Sequence, residues 1–166
     1  MDDVTFAQGF IRELELETRA TRKCLERIPP ELFDFKPHER SMQLGYLTLL
    51  VAEIPLWITL MVDGHELDFA TYKHQEAKTA EEMVKNFDDN VAAAKAALQK
   101  VKNGDLAGKF DLKTNGQVIF TSSKREGIET TINHMVHHRG QLTVYMRLNN
   151  IAVPSIYGPS ADERNF

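Results

Sequence analysis

The chain has 166 residues, of which 42% are hydrophobic and 27% are charged, and this length and composition are typical of one globular domain. We therefore expect a single domain over residues 1–166, and collagen-like, low-complexity and wholly disordered proteins are excluded. The formal net charge is −4, so the chain has no general attraction to a phosphate backbone and we expect no nucleic-acid binding.

The cysteine content, the N-terminus and one apolar stretch bear on cellular location. Cys24 is the single cysteine and cannot form an internal disulfide, which favours a reducing compartment. The N-terminal residues are acidic rather than basic, so no targeting peptide is predicted and we expect a cytoplasmic protein. Residues 44–62 approach the length of a membrane span. Because Glu53 and Pro55 lie at the centre of this stretch, we assign it to the interior of a helical bundle and expect no membrane association.

Helical periodicity dominates the first third of the chain. The first predicted helix ends before Pro29-Pro30. Its core stripe follows steps of three and four residues through Ala7, Phe10, Leu14, Thr21, Leu25 and Ile28. The second predicted helix is capped by Ser41, runs from residue 44 to about residue 62 and ends at Asp63-Gly64.

The third predicted helix carries its own start and stop signals. Thr79 and Glu82 have the spacing of a capping box, in which each side chain binds a free backbone N–H of the first turn. The helix closes near Gly104. Its core stripe consists of Val84, Phe87, Val91, Ala94, Leu98 and Val101.

The period changes from helical to alternating after the third helix. Residues 110–121 predict a short hairpin around Asn115-Gly116, a dipeptide typical of a tight hairpin turn. Ser123 and Glu126 then begin a fourth helix that extends to Asn149-Asn150. Four long helices without a sustained strand predict an all-α fold, a four-helix bundle with a short hairpin inserted before the last helix.

The fourth predicted helix carries the densest group of metal-binding side chains. His134 and His138 are four residues apart, so both imidazoles lie on one helix face and can converge on an ion, whereas His137 points elsewhere. Gln141 continues the same face, and the mid-helix Gly140 indicates either close approach of another element or a chance placement. A histidine pair with this spacing also occurs on helix surfaces or hydrogen-bonded in cores, and a metal centre needs at least a third ligand. Spacing alone leaves both interpretations open.

Several stretches together resemble the DinB family of damage-inducible proteins, which is distinct from the DNA polymerase of that name. The resemblance covers nearly the whole chain and is carried by HHRGQ at residues 137–141, YGPSADE at 157–163, KP at 36–37, SMQL at 41–44, and VAEIP at 51–55 with Trp57. It implies a bundle with up-down-down-up connectivity, often dimeric, in which three histidines hold a divalent metal such as nickel, zinc or iron. Relatives include thiol-dependent S-transferases and isomerases, and many members have no assigned activity.

The resemblance assigns two of the three metal ligands to this chain, His134 and His138. The first ligand of the family stands on the second helix just before VAEIP, where this chain has Leu50. Loss of one ligand from the coordination sphere should weaken metal binding by more than the 10- to 100-fold typical of outer-sphere losses.

Three substitutes for the missing ligand are conceivable. Glu53 lies one turn after Leu50 and could offer a carboxylate oxygen, or water could fill the position. His65 or His74 could fold back, although their distance along the chain argues against it. The interpretation of Glu53 that we favour is an ion pair, with Arg139 or Arg147 as candidate partners.

Two functions follow from these patterns. In the first, the chain is a divalent-metal-binding protein with a degenerate site at His134 and His138, related to thiol-dependent S-transferases or hydrolases and acting on a small molecule or a thiol. In the second, Leu50 has closed the site and the chain is a non-catalytic, metal-free scaffold of the stress response. A homodimer is expected in both, and the sequence identifies no catalytic residue.

Overall fold

A computed structural model of the chain describes residues 2–164. Met1, Asn165 and Phe166, the ends of the predicted domain, lie outside the described residues. The helices are α1 (Asp3–Glu26), α2 (Leu44–Asp63), α3 (Ala80–Leu98) and α4 (Lys124–Leu148), with a 3-10 turn at Pro30–Leu32. The strands are β1 (Glu66–Asp68), β2 (Lys109–Thr114) and β3 (Gln117–Ser123). The predicted bundle with a hairpin before the last helix is confirmed, and β1 is an addition to it.

The helices have the up-down-down-up connectivity that the resemblance implies. Helices α3 and α4 each pack against both α1 and α2, so that α1 and α2 lie diagonally across the bundle. Side-chain contacts show that α1 runs parallel to α4 and antiparallel to α3, and that α2 runs antiparallel to α4. The contacts are Phe6–Arg125 and Thr21–Arg139 for α1 with α4, Arg22–Asp88 and Glu15–Lys95 for α1 with α3, and Met42–Tyr145 and Val62–Lys124 for α2 with α4.

Helix α2 supplies much of the core. It is long and apolar enough to cross a membrane, with a mean hydropathy of 1.7 over its most apolar window, and is the one such helix among the described residues. More than half of that window, 56%, is buried inside the bundle. Its apolar surface is therefore used for packing against the neighbouring helices, as in the core helix of a bundle.

The first turn of α2 is capped by backbone rather than by a side chain. Ser41, the predicted cap, does not bind it, and the N-cap residue offers no side-chain hydrogen bond. The N–H groups of Leu44 and Gly45 instead donate to the carbonyls of Phe35 and Phe33, both at 2.9 Å. The prediction for Ser41 was wrong because the preceding turn already satisfies these donors.

Helix α3 ends at Leu98, earlier than the predicted close near Gly104. Gly104 lies instead in a turn with a left-handed backbone (φ 98°). The carboxylate of Asp3 accepts the backbone N–H groups of Gly104 and Leu106 at 2.9 and 3.0 Å. The start of α1 thus holds the turn that follows α3.

The three strands form one sheet in the order β1-β2-β3, with β1 parallel to β2 and β2 antiparallel to β3. Asn115 and Gly116 both have positive φ, 51° and 77°, which confirms the predicted turn. Asp68 at the end of β1 accepts the N–H groups of Asn115 and Gly116 at 3.1 and 2.6 Å. This carboxylate attaches the hairpin turn to the link between α2 and α3.

Candidate functional site

A cavity of about 710 Å³ lies between α2, the first half of α4 and the sheet. Its wall is mainly apolar, with Leu50, Trp57 and Met61 from α2, Phe110 and Leu112 from β2, and Phe120 from β3. His134 of α4 is part of the same wall. The structure therefore places one of the two predicted ligands at a cavity large enough for a small organic molecule.

The two histidines of α4 meet directly. His134 Nε2 and His138 Nε2 are 2.7 Å apart, and His138 Nδ1 is 2.7 Å from Gln141 Oε1. The predicted shared face of His134, His138 and Gln141 is thus confirmed, and His137 lies exposed outside it.

The orientation assigned to the Gln141 amide, with Oε1 facing His138, sets where the protons lie. Gln141 Oε1 can only accept, so His138 Nδ1 carries the proton and His138 Nε2 is an acceptor in the neutral ring. The donor between the two rings is therefore His134 Nε2–H, which leaves His134 Nδ1 as an unprotonated acceptor. Each ring is neutral in this arrangement.

The surroundings of both rings favour the neutral form. Burial, followed by the nearby His138 and His137, lowers the pKa of His134 to about 4. Burial also lowers the pKa of His138, although the bond to Gln141 acts in the opposite direction. Neutral imidazoles at pH 7 are the form that binds metal ions.

Glu53 takes part in a separate buried contact. Its side chain is fully buried; Oε1 is 2.9 Å from His74 Nδ1, and Oε2 accepts the N–H of Gln75 at 2.7 Å. An ion-pair partner was expected for Glu53, but the candidates Arg139 and Arg147 were wrong, because both arginines pair with other carboxylates. The residues after β1 supply the partner instead.

His74 folds back along α2 as far as the cavity wall, although it does not join His134 and His138 in a three-ligand group. It lines the cavity together with His134 and packs edge-on against Tyr72, with ring centroids 5.2 Å apart. His65 stays exposed in the turn before β1. The return of the chain from the end of α2 to the start of α3 brings His74 to this position.

Two aromatic residues next to the histidines were not predicted as part of the site. Trp57 lies 5.5 Å from His134 between ring centroids, and its Nε1–H donates to the hydroxyl of Tyr72 at 3.1 Å. Burial and the Glu53 carboxylate raise the pKa of Tyr72, so its phenol stays protonated. The sequence gives no local signal for Tyr72, because it lies in an irregular link.

The donors only partly fit the metal that the resemblance implies. The neutral imidazoles converge, and Gln141 orients His138 through the nitrogen that would not bind the ion, as is usual for ligating histidines. Among residues 2–164, no group of three His, Cys, Asp or Glu side chains is placed to hold an ion. Leu50, 9% exposed, lines the cavity instead of a third ligand. Of the described residues, His134 and His138 are thus the two candidate donors, and none occupies the third position.

Arg139, next to His138 in sequence, faces the other side of the bundle. It is 1% exposed and lies 2.5 Å from a carboxylate oxygen of Glu17. Its guanidinium donates to Thr21 Oγ1 at 3.0 Å and to the Tyr157 hydroxyl at 2.8 Å, and that hydroxyl donates to Glu17 Oε1 at 2.9 Å. Arg139 thus connects α4 to α1 and to the C-terminal segment.

Cys24 has no part in the site. It is buried in the core of the bundle. Burial raises the pKa of its thiol to about 11, despite the nearby Arg139 and Arg27. The thiol is therefore protonated and unreactive at neutral pH.

Comparison with known proteins gives similarities along nearly the full length of the chain. The sequence profile of the DinB family matches residues 1–165. The uncharacterized protein YrdA of Bacillus subtilis is 27% identical over 157 residues, which cover 93% of this chain and 89% of YrdA. The uncharacterized protein YjoA of the same organism is 22% identical over 131 residues, which cover 76% of this chain and 80% of YjoA.

Solved structures extend the similarity to three dimensions. A DinB-like protein from Bacillus cereus has a TM-score of 0.70 at 26% identity, covering 90% of this chain and 97% of that protein. The DinB-like protein YjoA has a TM-score of 0.67 at 17% identity, covering 95% of this chain and 99% of that protein, which is a likeness of fold alone.

Proposed function

Because this chain belongs to the DinB family, we propose that its site is a degenerate form of the family's metal centre. One of the three ligands is missing, and His134 and His138 bind a divalent ion. The observation that supports this most directly is the convergence of the two Nε2 atoms, 2.7 Å apart. Nitrogen ligands about 2.0–2.2 Å from a shared ion stand about 2.8–3.6 Å apart for ligand angles between about 90° and 110°, so the rings would have to separate by less than about 1 Å. Nickel, zinc and iron all accept imidazole ligands.

The residues around the pair have defined roles in this proposal. Gln141 orients His138, and burial keeps both rings neutral. Leu50 gives the third position no donor, so that water or a ligand from the cavity completes the coordination. When bound, the ion would act as a Lewis acid on water or on a thiol, the chemistry of the S-transferases and hydrolases named above. We further propose that the substrate is a small molecule or a thiol. The same proposal includes a homodimer in the cytoplasm.

A second function, a metal-free scaffold, has one observation in its favour. The contact between His134 and His138 is already a complete hydrogen bond between neutral rings. In this alternative the histidine pair is a structural element of α4, and no ion binds because Leu50 stands in place of the third ligand.

Metal binding of tag-free protein tests the proposal. We expect about one equivalent of Zn²⁺ or Ni²⁺ to bind weakly at about pH 8 in calorimetry, and His138→Ala to abolish that binding. Leu50→His should tighten it by more than about 100-fold, since it restores a direct ligand. His65→Ala is the control, because it removes an exposed histidine in the turn before β1 that is not part of the cavity wall, and we expect no change.

Less than about a tenth of an equivalent in the parent protein at saturating metal, with tight binding by Leu50→His, would favour the metal-free scaffold. Equal binding by the parent and His138→Ala would place any metal elsewhere and contradict the proposal. Iron is tested as Fe²⁺ without oxygen, with the same variants.

A further inference from the structure

We infer that the cavity between α2, α4 and the sheet binds an uncharged, largely apolar molecule with aromatic rings, which donates one hydrogen bond to His134. This site shares His134 with the proposed metal site but belongs to the metal-free protein, because it uses the apolar wall of the cavity and requires no ion. The inference is supported by the size of the cavity, its exposed aromatic rim, the state of its charged groups and one free acceptor.

The first argument is size and composition. The volume of about 710 Å³ lies within the range of cavities that enclose small organic ligands. The wall formed by Leu60, Leu67, Phe110 and Leu112 is apolar, and these side chains come from three different elements. A molecule that fills this space is stabilised by removing its apolar surface from water.

The second argument is the exposed rim. Tyr46, Phe69 and Phe120 line the cavity but are 45%, 44% and 57% exposed. Large aromatic side chains left this open beside a cavity form an apolar patch of the kind found at binding sites. Aromatic faces and edges favour a partner that itself carries rings.

The third argument concerns charge. Among the described residues of the wall, Glu126 is the one with a permanently charged side chain. Its carboxylate oxygen already accepts the backbone N–H and the hydroxyl of Ser123, at 3.0 and 2.7 Å. An anionic ligand would lose its hydration and meet this negative charge, whereas a cationic one would exchange its hydration for a single carboxylate that already binds Ser123, so the site favours an uncharged ligand.

The fourth argument is the acceptor on His134. Its Nε2–H donates to His138, so Nδ1 carries a lone pair and has no hydrogen bond to any of residues 2–164. His134 belongs to the cavity wall. A ligand with one N–H or O–H group can satisfy this acceptor, and a ligand without one leaves it unpaired.

Two related dyes test the inference with the full chain. N-phenyl-1-naphthylamine is uncharged, has aromatic rings and carries one N–H donor, and 1-anilinonaphthalene-8-sulfonate is the same molecule with an added anionic sulfonate. We expect saturable binding of the uncharged dye at a ratio of one per chain, and at least about tenfold weaker binding of the anionic dye. Energy transfer from Trp57, the single tryptophan, reports whether the dye lies at the cavity.

A matched pair of variants locates the binding. Thr130 is exposed on α4 and lines the cavity, whereas the adjacent Glu129 is exposed on α4 outside it. Thr130→Phe should fill the cavity and weaken binding of the uncharged dye by at least about tenfold, and Glu129→Phe should leave it unchanged. His134→Ala should weaken binding by about 2- to 10-fold, the loss of one neutral hydrogen bond.

Three results would overturn the inference: no saturable binding of the uncharged dye, equal binding of the anionic dye, or equal effects of Thr130→Phe and Glu129→Phe. All titrations are run with a chelator present. Dye binding then succeeds or fails independently of the proposed metal site.

Discussion

One short stretch of α4 serves two sides of the bundle in different ways. On the side of α1, Arg139 has protein partners for its charge and its hydrogen bonds, namely Glu17, Thr21 and Tyr157. On the cavity side, His134 and His138 bind mainly each other, and one nitrogen of His134 has no partner among the described residues. The polar groups on the α1 side are thus satisfied within the protein, whereas the cavity side keeps an acceptor that a bound ion or ligand could use.

Several residues of the segments that carry the family resemblance belong to the α1 side and have a structural role. Tyr157, from the YGPSADE stretch, binds Arg139 of the HHRGQ stretch, so two of the most specific sequence segments meet in one structural cluster. Asp162 and Glu163 of the same segment pair with Arg147 and Arg27. These residues attach the C-terminal segment to the bundle, and the candidate chemistry is left to the cavity side.

The largest effect on stability is expected from removing the buried ion pair between Arg139 and Glu17 on the α1 side. Arg139→Met leaves the carboxylate of Glu17 buried without its partner, which should lower the free energy of unfolding by about 3–5 kcal/mol. Urea unfolding followed by circular dichroism measures this. The control is Arg147→Ala, which breaks an exposed pair with Asp162 and should cost less than about 1 kcal/mol. Similar losses in the two variants would contradict the contrast between the two sides.

A second variant acts on the cavity side alone. Gln141→Met removes the acceptor that orients His138, so the proposed metal binding should weaken by about 10- to 100-fold while stability changes little. Calorimetry with Zn²⁺ measures the affinity. Asn133→Ala, an exposed change on the same helix, is the control, and an unchanged affinity in Gln141→Met would refute the orienting role.

A smaller effect is expected where the C-terminal segment joins the cluster. Tyr157→Phe removes the hydroxyl that links Arg139 and Glu17, and it should cost about 1 kcal/mol of unfolding free energy. A double-mutant cycle with Arg139→Met should show coupling between the two positions. Tyr46→Phe, at another exposed tyrosine, should be close to neutral, and purely additive effects would argue against the linked cluster.

The smallest effect concerns pH. Above the unfolded histidine pKa of about 6.5, His134 is neutral in both states and the stability is fully present. Burial lowers the folded pKa to about 4, so the unfolded chain takes up a proton first as the pH falls from about 6.5 towards 4, and stability is lost over this range. Solvent screening of the half-buried ring limits the loss to about 1 kcal/mol or less.

Unfolding of chelator-treated protein at about pH 7 and about pH 5 tests this dependence. His134→Gln should lose less stability between the two values than the parent protein does. His65→Gln, a change at an exposed position away from the pair, should behave like the parent. A parent protein that is equally stable at both values would show that the fold does not favour the neutral ring.

Local patterns predicted the elements that depend on neighbouring residues. The capping box at Ser123 and the turn at Asn115-Gly116 are present because each is formed within a few residues. Only half of the box predicted at Thr79 forms: Thr79 accepts the N–H of Glu82, but the Glu82 carboxylate accepts the N–H of Lys78 instead of that of Thr79. Gly140 shows the limit of such reasoning: it is exposed, and no atom of another described element lies within 4 Å of the position that a Cβ would occupy. Its interpretation as a point of close approach was wrong, since a glycine alone does not reveal what faces it.

Contacts between distant segments were beyond the sequence patterns. Strand β1 has only three residues, too few for a periodic signal, and it exists because β2 lies beside it. The pairing of Glu53 with His74 depends on the path of an irregular link. His134 and His138 could be placed together because one helix carries both, but the surrounding aromatic residues come from other elements.

The parallel course of α2 and α3 has a consequence for how this protein could diversify. Because α2 and α3 are parallel, the connection between them must cross the length of the bundle. Residues 64–79 form this crossover. On the way they deliver Leu67, Phe69 and His74 to the cavity. Changes in the length or composition of this crossover can therefore alter which molecules are accepted, while the packing of the four helices stays as it is.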